Sequence, residues 1–371
     1  MEFIPIANPR MTEDEAKAAY DVIKSGWISM GSKVEEFENN IADYLNAKHV
    51  IVMNNGTSTL NAALLAMDIR PGDEIIVPSL TYISSANVVQ YLGAKLVLCD
   101  NDLDTFNVRI EDIKSKITKK TKAFMTVDLK GLPINYDDFV ELSKSTGIPF
   151  IADSAESFGS TYKGNKVGSQ ALIHSFSFFA NKNMTTGEGG ACVTNNDELA
   201  KKLRIIRNQG QEGRYNHTHL GNNFRMTDIL AAIGIEQLKK IDSILDEKVR
   251  LANFYSTKFT ENQSVKPPFV PKYVDRPSWY MYGIKVDESC RDKLLNFLEN
   301  NSIECRLSFP PVHIQPYYKN KYKYINDDFP KAYKSYKEFI DIPIWAGMGD
   351  EKQKYIVKKI DDFFSSLKRS Q

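Results

Sequence analysis

The chain has little that would mark a secreted, membrane-spanning or metal-dependent protein. It carries only four cysteines in 371 residues, Cys99, Cys192, Cys290 and Cys305. They are scattered and show no CxxC spacing, which argues against a disulfide framework or a thiolate zinc site and fits a reducing compartment. No apolar run approaches ~18 residues, and residues 1–9 lack both a basic start and a hydrophobic stretch, so neither a membrane span nor a signal peptide is expected. Formal net charge is only +1, which argues against nucleic acid as the main partner. Histidine is sparse as well. His217 and His219 stand two apart, as on a strand, but no carboxylate or cysteine sits at ligand spacing, so no metal is expected. Internal repeats and low-complexity tails are missing too. What remains is a soluble, cytoplasmic chain of ordinary composition, 42% hydrophobic and 26% charged.

At this length a single hydrophobic core is unusual, and two domains are expected: a large one over residues 1–245 and a small C-terminal α+β one over 246–371. The cluster Pro267, Pro268 and Pro271 marks the change of unit. Thr12 followed by Glu15 reads as a capping box opening a helix that Ser25 and Gly26 stop, and Val34, Phe37, Ile41 and Leu45 form the stripe of a second helix. Strands are expected at His49–Met53, Glu74–Pro78, 95–100, 123–129 and 148–153, alternating with helical stretches such as 136–144. That alternation predicts an α/β fold with a large, mostly parallel sheet flanked by helices. Further on, the pattern gives a helix over Asp197–Arg207, another from Thr227, and a separate longer one from about Asp242 towards Phe259. In the small domain it gives strands at 280–286 and 303–307, a helix at 292–300, and a closing helix at 350–367 read as a solvated amphipathic face.

The densest chemistry sits at residues 175–194, SFSFFANKNMTTGEGGACVT. Phe176 and Phe178 alternate with Ser175 and Ser177 as in a strand, a polar turn holds Lys182, a Gly-Glu-Gly-Gly corner follows, and a second strand begins at Ala191. Withdrawing a lysine from water disfavours its ammonium form, and the neutral amine can form a Schiff base. Gly187, Gly189 and Gly190 allow positive φ or close approach of backbone to a ligand. A plain hairpin with its lysine in solvent has the same local pattern. Upstream, IPFIAD at 148–153 reads as a buried strand ending in an acid, at the edge where open α/β sheets place ligands. A carboxylate there suits the pyridine nitrogen of pyridoxal phosphate, because a protonated ring is an electron sink.

Three runs in order, IADSAESFGSTYKGNKVGS, FSFFANKNMTTGEGGACVTNN and GNNFRMTDILAAIG, with NNGTSTLNAALLAM nearer the start, resemble the pyridoxal-phosphate-dependent sugar aminotransferases of the DegT/DnrJ/EryC1/StrS family. The resemblance spans most of the chain. It implies fold type I, as in aspartate aminotransferase, with pyridoxal 5'-phosphate as cofactor and a homodimer with active sites at its interface. It also implies amino transfer from a donor such as glutamate to a keto sugar carried on a nucleotide, for lipopolysaccharide O-antigen or another surface glycan. By the same resemblance Lys182 and Asp153 are catalytic, the one carrying the Schiff base and moving the proton, the other facing the ring nitrogen. Gly56, Thr57, Ser58 and Ser177 would hold the phosphate, although Thr57 also suits a helix cap. Tyr82 would stack on the ring, Glu156 would lie near the ring oxygen or the sugar, and Asn223 and Arg225 would reach the neighbouring subunit's cofactor phosphate.

Substrate contacts are implied for Ser29, Met30, Gly31, Glu156, His217, Arg306, Phe309 and His313. Residues 29–31 equally suit a helix connector, and His313 a buried packing position. The NK followed by TTGEGG tilts the resemblance toward relatives that aminate carbon 4 of a 6-deoxyhexose, with carbon 3 as the alternative. The run VDLKGLP departs from the family, since Lys130 stands where an aromatic is usual and faces either the pocket or solvent. Two rivals are a sugar dehydratase, which carries histidine where this chain has Lys182, and a non-catalytic regulator. The latter needs a DNA-reading or partner-binding module, and no basic recognition helix is seen.

Overall fold

Runs of buried β-branched and aromatic residues make the strands around which the chain is arranged. In chain order the computed structural model, which describes residues 2–369, contains α1 (Glu13–Ser25), α2 (Ser32–Leu45), β1 (His49–Met53), α3 (Gly56–Ala66), β2 (Glu74–Pro78), α4 (Ile83–Tyr91), β3 (Lys95–Cys99) and α5 (Ile110–Lys114). There follow β4 (Thr121–Val127), α6 (Tyr136–Thr146), β5 (Phe150–Asp153), β6 (Thr161–Tyr162), β7 (Asn165–Lys166), β8 (Ile173–Ser177), β9 (Gly190–Thr194), α7 (Asp197–Arg207) and α8 (Asp228–Thr260). The remainder comprises β10 (Val274–Arg276), β11 (Tyr282–Lys285), α9 (Glu288–Asn300), α10 (Pro316–Tyr322), α11 (Pro330–Glu338), β12 (Phe339–Ile342) and α12 (Asp350–Arg369).

Seven strands form one sheet in the order β1-β9-β8-β5-β4-β2-β3, parallel except for β9, which runs against both its neighbours. Every residue of β2, β5 and β8 is buried, as parallel strands must be when helices cover both faces. On one face Ile51, Ile75, Met125 and Ile151 pack against Leu60 and Leu64 of α3 and Leu203 of α7. The other face carries Val50, Phe124, Phe150 and Phe176 against Phe37 and Ile41 of α2, Phe139 of α6 and Leu245 of α8. A third core joins Leu251, Tyr255 and Phe259 of α8 to Tyr282, Leu294, Ile340 and Ile360. The expected α/β architecture is thus present, and α1 opens with the capping box at Thr12 and Glu15.

Three expectations need correction. The two helices read from Thr227 and from Asp242 are the single 33-residue α8, because Asp242 anchors tertiary contacts instead of capping a start. Its Oδ1 accepts from Tyr44 Oη at 3.0 Å and Arg276 Nη2 at 2.9 Å. Residues 303–307 form no strand. Ile303 and Arg306 make isolated bridges to Ile4 and Asp341, and the true partner of β11 is β12. The closing helix is not merely a solvated face, since Ile356, Ile360 and Phe363 belong to the third core.

The sheet is tied to its covering helices by a buried ion pair. Arg207 Nη1, at the end of α7, pairs with Glu38 of α2 and donates to Val52 O at 2.9 Å, while Glu38 Oε1 accepts from Val52 N at 2.9 Å. Replacing one partner strands the other's charge in a dry site. Arg207→Met is therefore expected to lower the unfolding free energy in urea by about 3–5 kcal/mol. A loss under about 1 kcal/mol would equate the pair with a surface bridge.

Candidate active site

Strands β5, β8 and β1 finish at the same edge of the sheet, and each delivers a polar group there. Asp153 is the last residue of β5 and Ser177 the last of β8. β1 runs through Asn54 and Asn55 into the first turn of α3, where Asn55 caps the helix by accepting from Ser58 N at 2.8 Å. A cavity of about 900 Å³ opens between these ends and the third core's loops. Its walls carry Gly56, Thr57, Ser58, Tyr82, Asp153, Glu156, Ser177, Lys182, Arg306 and Phe309, all singled out from the sequence.

Lys182 lies on the loop between β8 and β9, with its side chain only 13% exposed. Its Nζ is 3.7 Å from Glu156 Oε1 and 3.9 Å from the centroid of the Tyr280 ring. Burial pulls its pKa below the usual lysine range, opposed by Glu156 and Asp153. Both neighbours of Lys182 are moored to the segment entering β11. Tyr280 Oη donates to Asn181 Oδ1 at 2.9 Å, and Asn183 Nδ2 donates to Ser278 O at 2.7 Å. Lys248 of α8 closes the arrangement, donating from Nζ to Asn183 Oδ1 at 2.6 Å and to Tyr280 O at 3.3 Å. Burial brings Lys248 itself down to about 7. The amine is therefore held in place from both sides of its own backbone.

Asp153 is buried and accepts from Ser85 Oγ at 2.7 Å, with Ala155 N at 3.3 Å. Burial raises its carboxyl from 3.8 to about 6, since neither contact supplies a full counter-charge. A carboxylate without a close cation on a cavity wall suits a protonated ring nitrogen. Nearby, the free amides of α3 and the hydroxyls of Thr57, Ser58 and Ser177 make a seat for a phosphate. Gly56 keeps that seat narrow, for a Cβ there would come within 2.9 Å of Ser177 Cβ. Gly187, φ 81°, makes the turn after Lys182. The residues present therefore fit pyridoxal phosphate.

The other expected contacts are placed elsewhere. Asn223 bridges Asn208, and Arg225 Nη1 donates to Asn208 Oδ1 at 2.6 Å, whereas it is Leu220, Asn222 and Phe224 of that loop that line the cavity. The 29–31 turn lies off the cavity wall, with Gly31 N donating to Asp228 Oδ1 at 2.8 Å, Ser29 O accepting from Asp228 N, and Met30 O accepting from Trp27 Nε1. His217 is exposed, its Nδ1 3.0 Å from Gln209 O. His313 is fully buried behind the wall, where its Nδ1 meets Ser79 Oγ at 2.7 Å and burial lowers its pKa to about 4, which matches the packing position among the two readings the sequence left open. Tyr82 meets Phe309 at 5.3 Å between ring centroids. Sequence reasoning did not assign Tyr280, Ser85, Lys248 or Asp341. Only Asn55, in the Asn-Asn-Gly turn, carried a local signal.

Residues 9–361 match the DegT/DnrJ/EryC1/StrS aminotransferase family. Among curated relatives, the GDP-perosamine synthase of Caulobacter vibrioides is 39% identical over 366 residues, covering 96% of this chain and 97% of that one. The UDP-4-amino-4-deoxy-L-arabinose–oxoglutarate aminotransferase of Shewanella sediminis is 33% identical, covering 86% and 87%. Among solved structures, Spr1654 of Streptococcus pneumoniae, a sugar aminotransferase by its description and solved in the PMP form, superposes with a TM-score of 0.93 at 29% identity, covering 99% and 100%.

Proposed function

The chain belongs to the DegT/DnrJ/EryC1/StrS aminotransferase family, whose members are pyridoxal-phosphate-dependent sugar aminotransferases, and on that premise we propose that it carries an amino group from glutamate to the carbon-4 ketone of a nucleotide-linked deoxyhexose. One observation carries the reading: a buried amine, an uncompensated carboxylate and a phosphate-seating helix end open onto one cavity. The choice of carbon and donor is supported by the Shewanella relative, whose name pairs a 4-amino sugar with oxoglutarate.

Bound in this cavity, pyridoxal phosphate supplies an electron sink for the carbon that loses its proton. Thr57, Ser58 and Ser177 would hold its phosphate with the amides of α3, and Asp153 would keep its ring nitrogen protonated. Lys182 Nζ would act as the general base at the donor's α-carbon in the first half of the reaction and as the general acid at the acceptor carbon in the second. Its lowered pKa leaves more of it as free base at neutral pH. Glu156 and Tyr280 fix the amine within reach, and Tyr82 with Phe309 covers the apolar side of the cavity.

In this reading the protein is a cytoplasmic homodimer serving surface-polysaccharide or glycan synthesis. Trp27, Ile28, Tyr215 and Leu220 are large apolar residues left in solvent, and a second copy would cover them and bring the 29–31 turn, His217, Asn223 and Arg225 to the neighbour's cavity. A division into two domains near residue 245 is supported by α8, whose Leu245 packs in the sheet's second core and whose Leu251 packs in the third.

The purified protein is tested with glutamate and nucleotide-linked 4-keto and 3-keto 6-deoxyhexoses. Expected is 2-oxoglutarate release with the 4-keto sugars, at kcat/KM about tenfold or more above the 3-keto ones. Turnover with the 3-keto sugars alone, or with neither, would overturn the proposal.

A further inference from the structure

Lys130 occupies a strained corner that the chemistry above does not use. It lies between β4 and α6 with a left-handed backbone, φ 59°. That conformation costs a lysine on the order of 1 kcal/mol and clusters at functional sites. Its backbone and side chain reach different partners. The N–H donates to Glu156 Oε2 at 2.6 Å, the carboxylate beside Lys182, while Nζ donates to Asp341 Oδ1 at 2.5 Å. The Lys130 and Asp341 side chains are 12% and 7% exposed, and both line the cavity.

We propose that Lys130 and Asp341 form a subsite that reads a ring hydroxyl of the sugar, an inference that rests on the amino-sugar reading and deepens it. An ammonium offers three donors and a carboxylate about four lone-pair positions, so their single mutual bond leaves donors on one and acceptors on the other. Charge selects the ligand class. A pair that sums to zero sets Asp341 against any carboxylate or phosphate drawn by Lys130, whereas a hydroxyl both donates and accepts and satisfies both groups. The pair is also rigid. Phe339 lies 4.6 Å beneath the ammonium, and Asp341 exchanges two backbone hydrogen bonds with Arg306, another residue of the cavity wall. One residue thus connects the carboxylate beside the reacting amine to the place where the sugar's hydroxyl would sit.

The experiment compares a nucleotide-linked 4-keto-6-deoxyhexose with its 2-deoxy and 3-deoxy counterparts, in the parent protein and in Lys130→Met and Asp341→Asn. In the parent, removing the hydroxyl that is read should lower kcat/KM about 10- to 100-fold, chiefly through KM. Each variant should show that loss with the fully hydroxylated sugar and should no longer distinguish it from the deoxy form. A merely structural pair would lower all rates together and leave the discrimination standing, which overturns the subsite. Asp341→Asn keeps the shape of the side chain, so a fold defect in Lys130→Met does not hide the answer. A parent protein that aminates no keto sugar overturns the amino-sugar reading and the subsite with it. A parent that aminates them, with variants that still discriminate, overturns the subsite alone.

Discussion

Lys182→Ala is expected to cut kcat for transamination by at least about 10⁴-fold, since Lys130, the other lysine on the cavity wall, has its amine held by Asp341. The protein should stay folded. Burial holds the Lys182 amine below its ordinary 10.5, so below its folded value the charged lysine costs the native state free energy that the unfolded chain does not bear. That penalty eases as pH rises towards the unfolded value. Removing the lysine should therefore raise the melting temperature of the cofactor-free protein near pH 7, and the gain should shrink in alkali. Small primary amines added to the variant should restore part of the rate, which they could not do for a lysine that only packs. Turnover within tenfold of the parent would remove Lys182 from the chemistry.

Asp153→Asn should show the opposite pH signature with a smaller functional cost. The carboxyl is raised from 3.8 to about 6, so its contribution to stability is complete below the unfolded value and is lost as pH climbs through the folded one. Above that window the ionised group sits buried at a cost on the order of 2–3 kcal/mol, and the asparagine variant escapes it. The cofactor-free variant is expected to melt higher than the parent at pH 7 and no higher at pH 3.5. Its kcat should fall about 10²–10³-fold, because the charge facing the ring nitrogen is gone. An unchanged kcat, or a variant that melts lower at pH 7, would exclude the role. On this reading both groups destabilise the empty protein near neutral pH, as expected where function opposes stability.

How much of this was legible depended on how local the deciding contacts are. Strands β1 and β2 and helix α7 have the limits read from the sequence, because burial pattern and flanking turn or cap residues agree there. Thr12 and Glu15 close their capping box within one turn. Asp242 misled because its side chain has the chemistry of a helix cap, while its partners Tyr44 and Arg276 are remote in sequence. The same holds for the site. Lys182 and Asp153 announce themselves through glycines and a strand-ending acid. Tyr280 and Lys248 become visible only when the chain brings them to Asn181 and Asn183. Lys130 could face pocket or solvent until Asp341, 211 positions away, settled it.

Helix α8 runs 33 residues without a break, a rod about 50 Å long at 1.5 Å per residue. One end is sunk in the packing behind the sheet and the other in the packing behind β11 and β12. Two units skewered on one stiff rod do not gape like a jaw. The way in for a bulky ligand is then the cavity mouth bordered by Leu220, Asn222 and Phe224, with the shaft beneath Lys182 left as it is.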